Sequence, residues 1–251
     1  MDPLTIIGVL AALGAIFGSM IMEGGSPAAL LLVPSLLLVF VGTTAVGAAG
    51  MPMADFSYAM KSVKNAFLSP ALKPDALVES IVKCAEIARR EGLLALESHV
   101  ASVEEPLLKR GLELAIDGTD PEALADILES EVAATKRHGA IPAKLFESMG
   151  GYAPTIGIIG TVMGLVNVLS NLSNPSELGH LIAGAFIATL WGVLSANVFW
   201  LPIGAKLKAL NEIQYQQNQM VVEGVISIQA GANPRLVDRK LRACSPAPPS
   251  S

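Results

Sequence analysis

Four stretches of this chain carry no Asp, Glu, Lys or Arg: residues 3–22, 28–53, 148–176 and 181–205. Each is long enough to cross about 30 Å of hydrocarbon at about 1.5 Å per helical residue. Inside lipid every backbone N–H and C=O must be bonded internally, so such runs are either helices or strands of a closed barrel. Barrel strands alternate apolar and polar residues over about ten positions. Leu30-Leu31-Leu32-Val33 does not alternate, so helices are predicted. The uncharged runs also explain the composition. Only 16% of residues are charged and the mean hydropathy is +0.54, against about a quarter charged in a soluble domain.

The predicted fold is all-α, a polytopic membrane protein with four transmembrane helices and a helical cytoplasmic domain. Span one is Leu4–Met22, span two about Ala28–Ala49, span three about Met149–Leu172 and span four about Leu178–Ile203. Span one has no basic segment ahead of it and is read as retained rather than as a signal peptide. Residues 1–50 and 148–203 thus hold the spans, 51–147 form the cytoplasmic helical domain, and 204–251 form a cytoplasmic helix and a disordered tail. All 17 Lys and Arg lie in 61–144 and 206–242, and the short connections 23–27 and 171–179 have none. By the positive-inside rule both termini and the large loop are cytoplasmic. Cys84 and Cys244 then lie on the reducing side, where no disulfide is expected.

Within 51–147 the apolar spacing predicts helices rather than strands. One covers 75–91, with Leu77, Ile81, Cys84 and Ala88 on one face. A second opens at Pro106 and ends near Asp117-Gly118. A third starts at Asp120-Pro121-Glu122, an N-cap followed by proline in the first turn, and is expected to stop near His138-Gly139. Pro34 predicts a kink or a late start in span two. Beyond span four no clear breaker appears, so the helix is expected to continue through 204–230. Residues from Ser245 onward are Pro/Ser-rich and read as disordered.

No catalytic chemistry is apparent. His99, His138 and His180 are far apart, no metal-ligand spacing occurs, and there is no phosphate-binding glycine loop. The chain is read as no enzyme, with no cofactor and no nucleic-acid partner. The informative residues are small. Gly157, Gly160, Thr161 and Gly164 recur on one face of span three, and Ala185, Thr189, Gly192 and Ala196 on one face of span four. Such faces let helix backbones approach closely. Helix packing accounts for the glycines but not for two threonines among them. No span contains a titratable group, which ion-driven machines need at membrane depth. A companion chain would have to bring the acid.

The run Gly150-Gly151-Tyr152-Ala153-Pro154-Thr155-Ile156-Gly157-Ile158-Ile159-Gly160-Thr161-Val162-Met163-Gly164-Leu165, with Ala188-Thr189-Leu190-Trp191-Gly192-Val193, resembles the MotA/PomA flagellar stator family. Gln229-Ala230-Gly231-Ala232-Asn233-Pro234-Arg235 resembles that family's C-terminal motif. The resemblance implies the A-subunit of a flagellar stator, a cation channel that turns ion-motive force into torque. It implies a location in the bacterial inner membrane, a pentamer of this chain, a B-subunit that supplies a transmembrane Asp, and a rotor switch protein as partner. It implies an ion pathway at Thr161, Thr189 and Thr155, with Na+ or H+ as the transported ion. Threonine at both of the first two positions favours sodium. Pro154 and Pro202 are implied in conformational coupling. Arg89 and Glu97, spaced about Gly92 and Leu96 as in the family, are implied at the rotor interface, with Arg90 as a further contact beside them. The alternative is an ExbB/TolQ-like energiser of an envelope transport system, whose members have three spans.

Overall fold

The computed structural model describes residues 4–68, 74–173 and 175–244. The expected disordered tail from Ser245 lies outside the described residues. Among the described residues every regular element is helical. In chain order the helices are α1 (Leu4–Met22), α2 (Val33–Ala49), α3 (Met53–Leu68), α4 (Pro74–Glu91), α5 (Glu97–Val100), α6 (Pro106–Ile116), α7 (Pro121–Ser170), α8 (Pro175–Ser195), α9 (Leu201–Gln229) and α10 (Pro234–Cys244). Among the described residues three continuous helical stretches are long and apolar enough to cross a membrane: α1, α7, and Glu177–Gln229, which runs through α8 and α9; Val33–Ala49 is a shorter apolar helix. The chain divides into two compact units, Met1–Pro70 with Ala140–Ala209, and Ala71–Gly139 with Leu210–Ser251.

The first unit holds the apolar helices. α1 coincides with the predicted span one, Leu4–Met22. α2 starts late, as Pro34 permits, because Pro27–Leu30 form a 3-10 turn and Leu31 and Leu32 stand outside any helix. That break strips the Leu30 carbonyl of its helical donor. The Trp191 indole N–H supplies one across 2.8 Å. Around this bond Val39, Ile187, Leu194 and Val198 are buried, with Phe17, Phe40 and Phe199 packed on them. A second cluster packs Ala59 and Ala66 of α3 against Phe146 and Met149 of α7 and Ile203 and Leu207 of α9.

The second unit is a helical cluster whose spacing was legible. Leu108 and Leu112 of α6, Leu124 and Leu128 of α7, Ile81 of α4, Val225 and Ile228 of α9, and Leu241 of α10 are fully or almost fully buried together. Cys84 is buried in the same cluster, which pushes its thiol up from the ordinary value, while Cys244 is exposed. Glu105 caps α6 by accepting the Leu108 N–H at 2.5 Å. Burial there raises its carboxyl above the usual range.

The expected stop at His138-Gly139 does not occur: α7 runs unbroken for 50 residues, through Pro142 and Pro154. Gly139 is present for close approach, not termination. A Cβ there would fall 2.1 Å from Asn211 Oδ1, and Asn211 Nδ2 donates to the Lys136 carbonyl at 3.1 Å. Tertiary packing overrides the weak local preference of one glycine. Span three is accordingly the second half of a longer helix. Span four does continue to Gln229, but through a π-turn at Ala196–Trp200 that no residue pattern announced.

Candidate functional site

α7 and α8 touch along the two small-residue faces, with backbone against backbone. A Cβ on Gly157 would lie 2.8 Å from the Ala188 carbonyl oxygen and 3.2 Å from the Gly192 Cα. A Cβ on Gly192 would lie 2.7 Å from the Ala153 carbonyl oxygen. Two turns further along α7, a Cβ on Gly164 would meet Ala185 Cβ at 2.5 Å. Because the helices are this close, the hydroxyls of Thr161 and Thr189 meet in a hydrogen bond. Thr161 Oγ1 also lies 3.1 Å from the Ala185 carbonyl oxygen and 3.3 Å from that of Gly157. Thr189 Oγ1 lies 3.3 Å from the same Gly157 oxygen.

Four oxygens therefore share two hydroxyl protons, which leaves acceptor lone pairs unmatched. Such a cluster can receive a water or a hard cation, which prefers oxygen ligands. It is not a complete cation site, because it carries no formal charge. Both threonines are half-buried. The surface beside them is apolar: Ile158, Val162, Met163 and Val166 of α7, and Phe186 and Val193 of α8, are exposed. Within a bilayer that face meets lipid or another transmembrane chain.

Thr155 stands apart from this pair. Six residues from Thr161, it occupies another face of α7. It is exposed, with its hydroxyl donating to the Tyr152 carbonyl at 2.8 Å. The two prolines differ in how their helices accommodate them. α7 stays helical through Pro154. Pro202 follows the π-turn Ala196–Trp200, where the Leu201 N–H bonds five residues back to the Ala196 carbonyl. The wider turn makes room for a proline ring that would otherwise strike the preceding carbonyl. Gly150, one turn before Pro154, is where Leu201 packs: a Cβ there would fall 2.4 Å from Leu201 Cδ2.

In the other unit Arg89 and Arg90 end α4 and Glu97 begins α5, all three exposed. The chain turns between them at Gly92, whose φ of 90° excludes most side chains. Leu96, fully buried, anchors the far side of the turn. Among the described residues neither arginine nor Glu97 has an ion-pair partner. Among those residues no group of three or more His, Cys, Asp or Glu could hold a metal ion.

Sequence reasoning placed Trp191 within a motif but missed its bond to Leu30. The available signal was an indole N–H in an apolar span, which must find an acceptor.

A model of the MotA/TolQ/ExbB proton channel family matches residues 99–220. Motility protein A of Bacillus subtilis (strain 168) is 34% identical over 248 residues, covering 98% of this chain and 92% of that protein. Among solved structures, that of C. jejuni MotAB superposes with a TM-score of 0.93 at 31% identity, covering 97% of this chain and 96% of that one. The flagellar MotAB stator complex of Bacillus subtilis superposes with a TM-score of 0.88 at 34% identity, covering 96% of each chain.

Proposed function

The chain belongs to the MotA/TolQ/ExbB proton channel family, and from that premise we propose how it acts as the A-subunit of a flagellar stator. It is a membrane channel subunit, not an enzyme. The match to a motility protein along 98% of the chain favours the stator over an envelope energiser.

The observation that carries the mechanism is the threonine cluster on an uncharged, apolar face. Thr161, Thr189 and the Gly157 and Ala185 carbonyls offer oxygens but no charge. A cation crossing here needs a carboxylate, and the B-subunit's transmembrane Asp supplies it. The cation binds that acid beside the hydroxyls, which replace part of its water shell, and is released toward the cytoplasm. Each ionisation change alters which A-subunit face the B-helix prefers. Five A-subunits around the B-helices convert those preferences into steps about the ring axis. One charge falling through about 100 mV releases about 2.3 kcal/mol, so the cycle is built from small steps. Pro154 and the π-turn ahead of Pro202 are the bends that let α7 and the helix pair α8–α9 respond. The threonine pair favours sodium over protons as the coupling ion.

In this reading the chain crosses the bacterial inner membrane four times, and the Lys and Arg of the large loop and tail favour the cytoplasmic side for both termini. α2 supports the fourth crossing: its 17 residues reach about 25 Å and the 3-10 turn before it adds about 8 Å. Arg89, Arg90 and Glu97 press on the rotor switch protein.

Thr161→Val and Thr189→Val test the pathway, since each removes one hydroxyl at nearly constant volume. Each is expected to cost about 1 kcal/mol of ion stabilisation, about fivefold in swimming speed at limiting sodium, with normal amounts of complex in the membrane. Normal swimming of both variants at limiting cation would reduce the hydroxyls to packing. Arg89→Glu addresses the rotor. Among the described residues Arg89 touches no charged partner, so folding should change by less than about 0.5 kcal/mol while stall torque in a tethered-cell assay falls. Unchanged torque would return the residue to a solvated surface.

A further inference from the structure

Two buried polar atoms among the apolar helices have no hydrogen-bond partner among the described residues: the Thr43 hydroxyl and the Trp200 indole nitrogen. Thr43 is 0% exposed. A buried, unbonded hydroxyl or N–H is costly, and native proteins rarely keep one without a ligand or a water.

The two groups sit on segments that pack together around Phe40. Phe40, Thr43 and Gly47 are spaced three and four residues apart on α2 and share one face. At one end of that face the Phe40 and Trp200 rings meet in a T-shaped contact, with centroids 6.0 Å apart. At the other end a Cβ on Gly47 would touch Met149 Cγ at 2.9 Å. Phe146, one turn from Met149 on α7, stacks on Trp200 at 6.2 Å. Along α2, Thr43 therefore lies between Phe40, which touches Trp200, and Gly47, which touches Met149, the neighbour of Trp200's stacking partner Phe146.

Both helices are also irregular at this point. α2 contains a π-turn at Leu37–Val41, and the helix ahead of α9 contains one at Ala196–Trp200. The two π-turns meet through Phe40, Phe199 and Trp200. Thr44 returns its hydroxyl to the Phe40 carbonyl at 2.7 Å. The hydroxyl of Thr43 points elsewhere. π-turns inside helices concentrate at functional sites, and Pro202 follows directly.

We propose that one buried water bridges Trp200 and Thr43, accepting from the indole N–H and sharing a hydrogen bond with the threonine hydroxyl. This water ties α2 to the bend in front of Pro202. Thr43 and Trp200 are positioning residues: they touch no transported ion, and they set the angle at which the helix enters α9. A water needs two to four polar partners, and this site supplies two in an otherwise apolar shell.

The test uses the full chain purified from membranes in its native assembly. Thr43→Val, Trp200→Phe and the double variant are compared by thermal unfolding. If the water bridges the pair, each single change strands the other group. Each then lowers the melting temperature by about 2–4 °C, and the double variant is no worse than the poorer single. If both groups are simply unbonded, Thr43→Val removes a buried penalty, raises the melting temperature, and adds independently to Trp200→Phe. That pattern overturns the proposal. A readout that packing alone would not move is the Raman band that follows indole N–H bonding, taken as the difference between wild type and Trp200→Phe. A bonded indole that weakens in Thr43→Val supports the bridge. A non-bonded indole in the wild type, or one that Thr43→Val leaves unchanged, sinks it. A map at water resolution that puts the two side chains in direct contact would also refute it.

Discussion

Replacing Gly157 with valine is expected to abolish swimming and to deplete the protein from the membrane fraction. The three atoms nearest an added Cβ all belong to backbone: the Ala188 carbonyl oxygen at 2.8 Å, Thr189 Cα at 3.1 Å and Gly192 Cα at 3.2 Å. No side chain can rotate away, so the new atoms must push α7 and α8 apart as rigid bodies. Overpacking commonly costs about 1–3 kcal/mol where side chains can relax, and here that relief is missing. Separation would also pull Thr161 from Thr189 and remove the oxygen cluster. Immunoblots of membrane fractions and soft-agar swimming would read both effects. Gly151→Ala is the matched control on the same helix, with nothing within 4 Å of the added atom. A Gly157→Val protein that accumulates and swims like wild type would mean that the helices do not pack this way.

Leu112→Ala should damage the other unit while leaving insertion intact. Leu112 is 0% exposed and shares its cluster with Leu108, Leu124, Leu128, Val225 and Leu241. Truncating a buried leucine costs about 2–5 kcal/mol, the cavity included. Stability of a domain is about 5–15 kcal/mol in total, so a large part of the margin disappears. Brief proteolysis of inverted membrane vesicles is expected to cut α6 and the start of α7 faster, with the apolar helices still membrane-bound. Equal cleavage rates in variant and wild type would argue against a shared core there.

Much of this fold was legible because its signals are local. α1 carries the bounds predicted for span one, since lipid fixes where apolar residues end. α4, α6 and the start of α7 follow from apolar spacing and from prolines at helix starts. The errors arise where contacts distant in sequence decide. Gly139 reads as a stop, yet Asn211 packs on it and the helix continues. The π-turns reflect how α2 and the helix ahead of α9 meet, and no residue type encodes that. The small-residue spacing correctly put Thr161 and Thr189 on the facing sides of their helices. It did not reveal that two neighbouring backbone carbonyls join them, or that Thr155 lies on another face. Arg89 and Glu97 were singled out by family pattern, and Arg90 only as their neighbour. The structural reason for the pattern is the left-handed Gly92, which lets α4 end and the chain turn back onto Leu96.

Every oxygen gathered around Thr161 belongs to an alcohol or an amide. None of them gains or loses a proton over the acidity range in which bacteria swim. This cluster therefore keeps the same charge whatever the medium. If the ion crosses beside it as proposed, an acid-dependent inflection in motor speed that is set at the cluster is a titration curve of the neighbouring chain, recorded by the rotating filament.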